Sequence, residues 1–128
     1  MKTQDKAEFR GLLLWIDKEV SSTANATFEA HLKNLGYELV TFEHVHLLIE
    51  KLKKPEKNEI IIISSGSCGR ELIKSIEAER IIVLGIIIYC RYVKLHEELE
   101  KNRIVKKVTC LPSEIRIAIE KINNNLFI

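Results

Sequence analysis

A chain of 128 residues, of which 46% are apolar, has the size and composition of one domain with one core, and is too short for two comparable domains. Its 20 Lys and Arg nearly balance its 18 Asp and Glu, which excludes a net field that would gather nucleic acid or an anionic membrane as a partner. Three cysteines without a CxxC pair do not make the disulfide framework of a small secreted protein, and they favour a reducing, cytoplasmic setting.

The chain begins with ten mostly polar residues, which we interpret as a flexible lead-in to a single domain over residues 11 to 128. The most apolar window, residues 81 to 90, has about half of the roughly 20 residues that a membrane-spanning helix needs. No membrane partner is therefore expected.

Five apolar runs alternate with five segments of helical period, which predicts an α/β domain with a parallel sheet between two helical layers. The first, third and fourth runs are almost unbroken, as in strands that are buried on both faces, whereas the second and fifth suit the sheet edges. Five right-handed units of this length typically wind in the strand order 2-1-3-4-5, which is flavodoxin-like and receiver-like. The predicted strands span residues 11 to 17, 37 to 42, 59 to 64, 86 to 90 and 105 to 110.

Each segment between or after the strands carries one apolar stripe that is expected to face the sheet. Gly36 is expected to stop the first helix, and Ser113, after Pro112, is predicted to cap the last. The stripes are Phe28, Leu32 and Leu35; Val45, Leu48, Ile49 and Leu52; Leu72, Ile73 and Ile76; Tyr92, Leu95 and Leu99; and Ile115, Ala118, Ile119 and Ile122.

In this strand order, the expected ligand site is the crevice above the carboxyl ends of strands 1 and 3. Asp17 ends strand 1, and the turn SSGSCGR, residues 64 to 70, follows strand 3. Such a turn into a helix offers backbone N–H groups and the positive end of the helix dipole to an anion, and Arg70 would add charge. The candidate anion-binding residues are Asp17, Ser64, Ser65, Gly66, Ser67, Gly69 and Arg70.

A plain turn is the alternative for this stretch. Ser65 or Ser67 would then satisfy the helix end, and Gly66 and Gly69 would allow the chain to bend. Neither GxxxxGK[ST] nor GxGxxG is present, so no nucleotide cofactor is predicted.

The cysteines Cys68, Cys90 and Cys110 fall at or just beyond the carboxyl ends of three neighbouring predicted strands. They would serve there as small apolar residues, as a redox pair or as metal ligands, but a structural zinc site needs four ligands, and no metal site is predicted. The four histidines show no Ser-His-Asp or Cys-His order and are expected at the surface or its boundary. No catalytic residues are predicted, and we do not expect an enzyme.

The five-strand pattern, Asp17 after strand 1 and Pro112 after strand 5 resemble the receiver domain of bacterial response regulators. The resemblance covers nearly the whole chain as architecture but not its phosphotransfer residues. Lys18 stands beside Asp17 where receivers have a second acid, and Ser64 stands at the phospho-acceptor position. Cys90 and Leu111 stand at the positions of the receiver hydroxyl and lysine. The resemblance thus implies a receiver-like domain without phosphotransfer.

The chain is more closely similar to the receiver-like domains that precede tetratricopeptide and ADP-ribosyltransferase modules in rotifer and ciliate proteins. Four stretches carry this resemblance, in order: WID at 15 to 17, SSGSCG at 64 to 69, IIIYC at 86 to 90 and VKKV at 105 to 108. It implies a non-catalytic accessory domain of larger proteins. The leading hypothesis for its function is a protein-interaction or regulatory module that self-associates or binds a protein partner. By analogy with receivers, the candidate interface residues are Tyr92, Leu95, Leu99, Ile115 and Ile119. The alternative function is a small-ligand domain that binds a phosphate or a nucleotide at residues 64 to 70.

Overall fold

A computed structural model describes residues 7–54 and 59–127. Its five parallel strands form one sheet in the order β2-β1-β3-β4-β5, and every strand begins and ends within one residue of its predicted bounds. The α/β class and the flavodoxin-like order are therefore confirmed. The strands are β1 (Leu12–Ile16), β2 (Glu38–Phe42), β3 (Ile60–Ser64), β4 (Gly85–Tyr89) and β5 (Val105–Thr109).

Helices connect and cover the strands. α1 begins after the N-cap Ser22, whose hydroxyl accepts the Asn25 N–H, and Gly36 follows its end with a positive φ of 103°. α4 is a single turn that continues as a 3-10 helix, Glu97–Lys101, and we call residues 93 to 101 together the α4 segment. The helices are α1 (Thr23–Asn34), α2 (Val45–Lys53), α3 (Gly66–Glu79), α4 (Val93–His96) and α5 (Pro112–Asn123).

The sheet separates two apolar layers, because successive side chains of a strand point to opposite faces. Leu13 and Trp15 of β1 face α1 and α5, whereas Leu14 and Ile16 face α2 and α3. The predicted inward stripes of α1, α2, α3 and α5 are confirmed, with Leu35 and Leu52 half-buried. Over residues 7–54 and 59–127, no helix has the length and hydropathy that crossing a bilayer requires.

The predicted fourth stripe is confirmed only at Leu99 and is wrong at Tyr92 and Leu95. Tyr92 and Leu95 are exposed, whereas Val93 and Leu99 pack against the core. The reason is that α4 makes one turn and then tightens, so the 3.6-residue period on which the stripe depended is not maintained.

The predicted cap of the last helix is also wrong. Pro112 is the first residue of α5, a position that suits its fixed φ and missing N–H, and Ser113 lies inside the helix. Thr109 takes part in the start of α5 instead. Its hydroxyl accepts the Leu111 N–H and donates to the Glu114 carboxylate.

The lead-in prediction is corrected for residues 7 to 10, whereas residues 1 to 6 lie outside the described residues. Ala7 and Phe9 are buried in the core, and the Ala7 N–H donates to the Leu35 carbonyl at 2.9 Å. Glu120 Oε2 accepts the N–H groups of Glu8 and Phe9 at 3.2 and 3.3 Å. This segment is therefore part of the packed domain.

Candidate functional site at the switch point

Ser65 is the whole connection between β3 and α3. Its N–H donates to the Ile16 carbonyl at 2.9 Å, which places the turn beside the end of β1, as the strand order predicted. Its hydroxyl accepts the Cys68 N–H at 3.2 Å and lies 3.3 Å from the Ser67 hydroxyl. Ser64 is fully buried, and its hydroxyl donates to the Ser65 carbonyl at 2.9 Å. Ser65 is thus the N-cap of α3.

Gly66 and Gly69 have a role that the sequence analysis missed. Both lie within α3, and neither has the positive φ that Gly36 has. They are therefore not needed to bend the chain. A Cβ on Gly66 would lie 2.4 Å from two atoms of the His96 ring, and one on Gly69 would lie 3.0 Å from Ile88 Cδ1. The two glycines therefore allow β4 and the α4 segment to approach α3 closely.

The Asp17 carboxylate forms hydrogen bonds within the connection between β1 and α1. Its Oδ1 accepts the Glu19 N–H at 2.8 Å, and its Oδ2 accepts the Asn25 side-chain amide at 3.2 Å. The same amide donates to the Glu19 carbonyl at 2.8 Å. One carboxylate oxygen thus bonds the local backbone and the other bonds the Asn25 side chain, which is the ordinary structural role of an acid in a turn.

Arg70 extends from α3 to the α4 segment. Its Nη2 donates to Glu98 Oε1 at 2.6 Å and to the Leu95 carbonyl at 3.3 Å, and its Nη1 lies 3.2 Å from His96 Nδ1. The hydrogen bond and the charge of Arg70 lower the pKa of Glu98 below its usual value. The charge that was expected to help bind an anion is therefore paired within the chain.

The three cysteines do not meet at one point. Cys68 is buried on α3, Cys90 is half-buried directly after β4, and Cys110 is exposed directly after β5. Cys90 and Cys110 end neighbouring strands, and the Cys90 N–H donates to the Thr109 carbonyl at 3.0 Å. Within residues 7–54 and 59–127, no group of three or more His, Cys, Asp or Glu side chains is placed to hold a metal ion.

The candidate interface residues divide into three groups. Tyr92 and Leu95 are 63% and 65% exposed, Leu99 is half-buried, and Ile115 and Ile119 are fully buried in the core. The prediction of Ile115 and Ile119 as interface residues is wrong, because both side chains belong to the inward stripe of α5 and are packed in the core. The exposed apolar residues near them are Leu111 and Ile117.

Two of the shallow depressions on the described surface lie away from residues 64 to 70. One, of about 320 Å³, lies along α5 beside Glu8 and Leu126. The other, of about 460 Å³, lies at the amino end of the sheet, where Ile60 meets residues 79 to 82. Ser64, Ser65, Gly66 and Gly69 are all buried, so the switch point is a packed junction.

Protein-family models and curated proteins gave no match to this chain. The geometry of the site is what bears on function.

Proposed function

We propose that this chain is a receiver-like protein-interaction module that works without phosphotransfer and associates with a second copy of itself. The supporting observation is an internally bonded switch point beside exposed apolar side chains. Tyr92 and Leu95 lie on or next to the α4 segment, and Leu111, which is 51% exposed, follows β5. We call Tyr92, Leu95 and Leu111 the α4 surface.

The residues at the switch point support a role other than phosphotransfer. Acyl-phosphate chemistry needs a carboxylate nucleophile and a divalent cation that is held by several oxygen ligands. Ser64, which ends β3, supplies a buried hydroxyl that is bonded to its neighbour, and Asp17 has both oxygens bonded in its own turn. These groups stabilise the junction instead.

The charges around the α4 surface favour a second copy as its occupant. Exposed Arg91 and Lys94 lie close in sequence to exposed Glu97, so both signs of charge accompany the apolar residues of the α4 surface, whereas Glu98 is paired with Arg70. Such a surface is self-complementary in a twofold contact, where each basic group meets an acidic group of the other copy.

Sedimentation equilibrium over a wide concentration range tests this proposal. We expect the wild type to dimerise, and the double variant Tyr92→Ser, Leu95→Ser to weaken the dimer by at least about tenfold. Ile82→Ser is the matched control, because Ile82 is 93% exposed but precedes β4, at the amino end of the sheet and opposite to the α4 surface. A wild type that stays monomeric at millimolar concentration, or an equal loss in the control, would overturn the proposal.

The alternative ligand, a phosphate or nucleotide at residues 64 to 70, is disfavoured by two contacts. Arg70 is paired with Glu98, and the His96 ring lies over Gly66 at the start of α3. Titration of nucleotides and phosphosugars, followed by thermal melting, should leave the melting temperature unchanged. A shift that Ser65→Ala and Arg70→Ala both abolish would establish the ligand site instead.

A further inference from the structure

Cys90 and Cys110 occupy opposed positions of one parallel ladder. In such a ladder, an N–H that points to the neighbouring strand donates to the carbonyl of the residue before its partner. Ile86 is an example: its partner is Val105, and its N–H donates to the Ile104 carbonyl. The Cys90 N–H donates to the Thr109 carbonyl, so its partner across the ladder is Cys110. The two cysteines therefore face each other one residue beyond the last ladder pair, Tyr89 and Thr109.

Their side chains project to the same face of the sheet. Ile88 and Val108 are ladder partners in the layer that faces α3 and the α4 segment, and each lies two residues before a cysteine. Side chains alternate along a strand, so both cysteines return to this face. Cys90 packs against that layer, and burial followed by the nearby Cys110 raises the pKa of its thiol.

The spacing of the two backbones suits a covalent bridge. Neighbouring strands lie about 4.8 Å apart, and disulfides join α carbons about 4.4 to 6.8 Å apart. The β carbons of a disulfide are closer than this strand spacing, at about 3.8 Å, so the chain must draw together slightly. The two backbones are able to approach each other at Cys90 and Cys110 because β4 ends at Tyr89 and β5 ends at Thr109, one residue earlier in each case.

We propose that Cys90 and Cys110 form a reversible intramolecular disulfide, so that the carboxyl end of β4 and β5 is a thiol-disulfide site. Cys110 is exposed and is the thiol that an oxidant meets first, whereas Cys90 is half-buried and resolves the intermediate. Cys68 is buried on α3 and stays reduced. This proposal does not depend on the self-association proposed above.

With glutathione disulfide as oxidant, the Cys110 thiolate attacks one of its sulfurs, forms a mixed disulfide and releases one glutathione thiolate. The Cys90 thiolate then attacks the Cys110 sulfur and releases the second glutathione. The two cysteine protons go to the two glutathione thiolates. The protein loses two hydrogen atoms, and one glutathione disulfide becomes two glutathiones.

The bridge would close the connection of about twenty residues that contains the α4 segment. Tyr92 follows Cys90 by two residues and Leu111 follows Cys110 directly, so oxidation fixes the two parts of the α4 surface to each other. Reduction by excess glutathione or dithiothreitol restores the two thiols.

The test exposes dilute reduced protein to glutathione disulfide, alkylates it under denaturing conditions and analyses it by mass spectrometry. We expect the alkylatable thiols of the wild type to fall from three to one, with a peptide that links Cys90 to Cys110, and dithiothreitol to reverse this. Cys68→Ala is the control and should form the same bridge.

Two single variants separate the roles of the pair. Cys90→Ser should accumulate a lasting glutathione adduct on Cys110, and Cys110→Ser, at an exposed position, should leave Cys90 reduced. Three remaining thiols in the wild type, glutathione adducts without a bridge, a bridge to Cys68 or a bridge between two chains would each overturn the proposal.

Discussion

Gly66 and His96 are in such close contact that a methyl group on Gly66 would come within 2.4 Å of the imidazole atoms Cδ2 and Nε2. This contact joins the start of α3 to the α4 segment, and Arg70 joins the same two elements through Glu98 and the His96 ring. The switch point of the sheet is thereby covered by side chains of the chain itself.

Gly66→Ala should reduce the free energy of unfolding by about 1 to 3 kcal/mol, because the added methyl group overpacks this contact. In a His96→Ala background the same change should be close to neutral, since the ring that the methyl group would meet is absent. Urea denaturation of the four proteins in this cycle measures the coupling. An equal cost in both backgrounds would show that His96 is not the obstacle.

Ile115→Ala and Ile117→Ala compare two positions on one helix with the same chemistry. Ile115 is fully buried, so its truncation should cost about 2 to 5 kcal/mol. Ile117 is 56% exposed, so its truncation should change stability by less than about 0.5 kcal/mol. Chemical denaturation checks both values, and the reverse order would contradict the packing of α5.

Tyr37 should make the domain sensitive to alkali. Burial, and then its hydrogen bond to Glu120, raise the pKa of its phenol above the usual value near 10. Above that pH the unfolded chain releases the proton while the folded chain keeps it, so the folded state binds more protons and loses stability as pH rises. The stabilisation is fully present below about pH 10.

Urea denaturation between neutral pH and pH 11 measures this effect. Tyr37→Phe should lower the free energy of unfolding by about 1 kcal/mol near neutral pH. Its stability should also fall less steeply than that of the wild type as the pH rises above about 10. Tyr92→Phe, at an exposed position, is the control and should decline as the wild type does. Identical pH profiles for Tyr37→Phe and the wild type would contradict this role of Tyr37.

Asp17→Ala should destabilise the domain by about 1 to 2 kcal/mol, because the Glu19 N–H loses its acceptor and the Asn25 amide loses one of its two acceptors. Lys18→Ala, one residue away and exposed, should have an effect within about 0.5 kcal/mol. Thermal melting of both variants checks this. A more stable Asp17→Ala would indicate that the carboxylate is strained for another purpose.

Much of the fold follows from periodicity in the sequence. The isoleucines of β3 and the runs in β1 and β4 are apolar at every position, which occurs when both faces of a strand are buried, and this placed them at the centre of the sheet. The stripes of α1, α2, α3 and α5 were predictable for the same reason. Each spans at least two turns, so a 3.6-residue repeat is visible.

The contacts of the site were less predictable because they join elements that are distant in sequence. Gly66 suggested a bend, and only the three-dimensional position of His96, thirty residues later, explains the need for a small residue there. Arg70 was predicted to add charge to an anion site at the switch point, but it pairs with Glu98, and this contact depends on where the short α4 turn ends. Likewise, the burial of Phe9 was not predictable, because one apolar residue between Glu8 and Arg10 forms no periodic pattern.

Glu120 gives the fold a further property. Glu120 lies near the end of α5, and its carboxylate accepts the backbone N–H groups of Glu8 and Phe9. The two ends of the described chain therefore lie close together. A domain with adjacent ends tolerates insertion into a surface loop of a host protein, since both connections fit the span of that loop. Such a fusion would report on oxidation or assembly of the domain through the activity of its host.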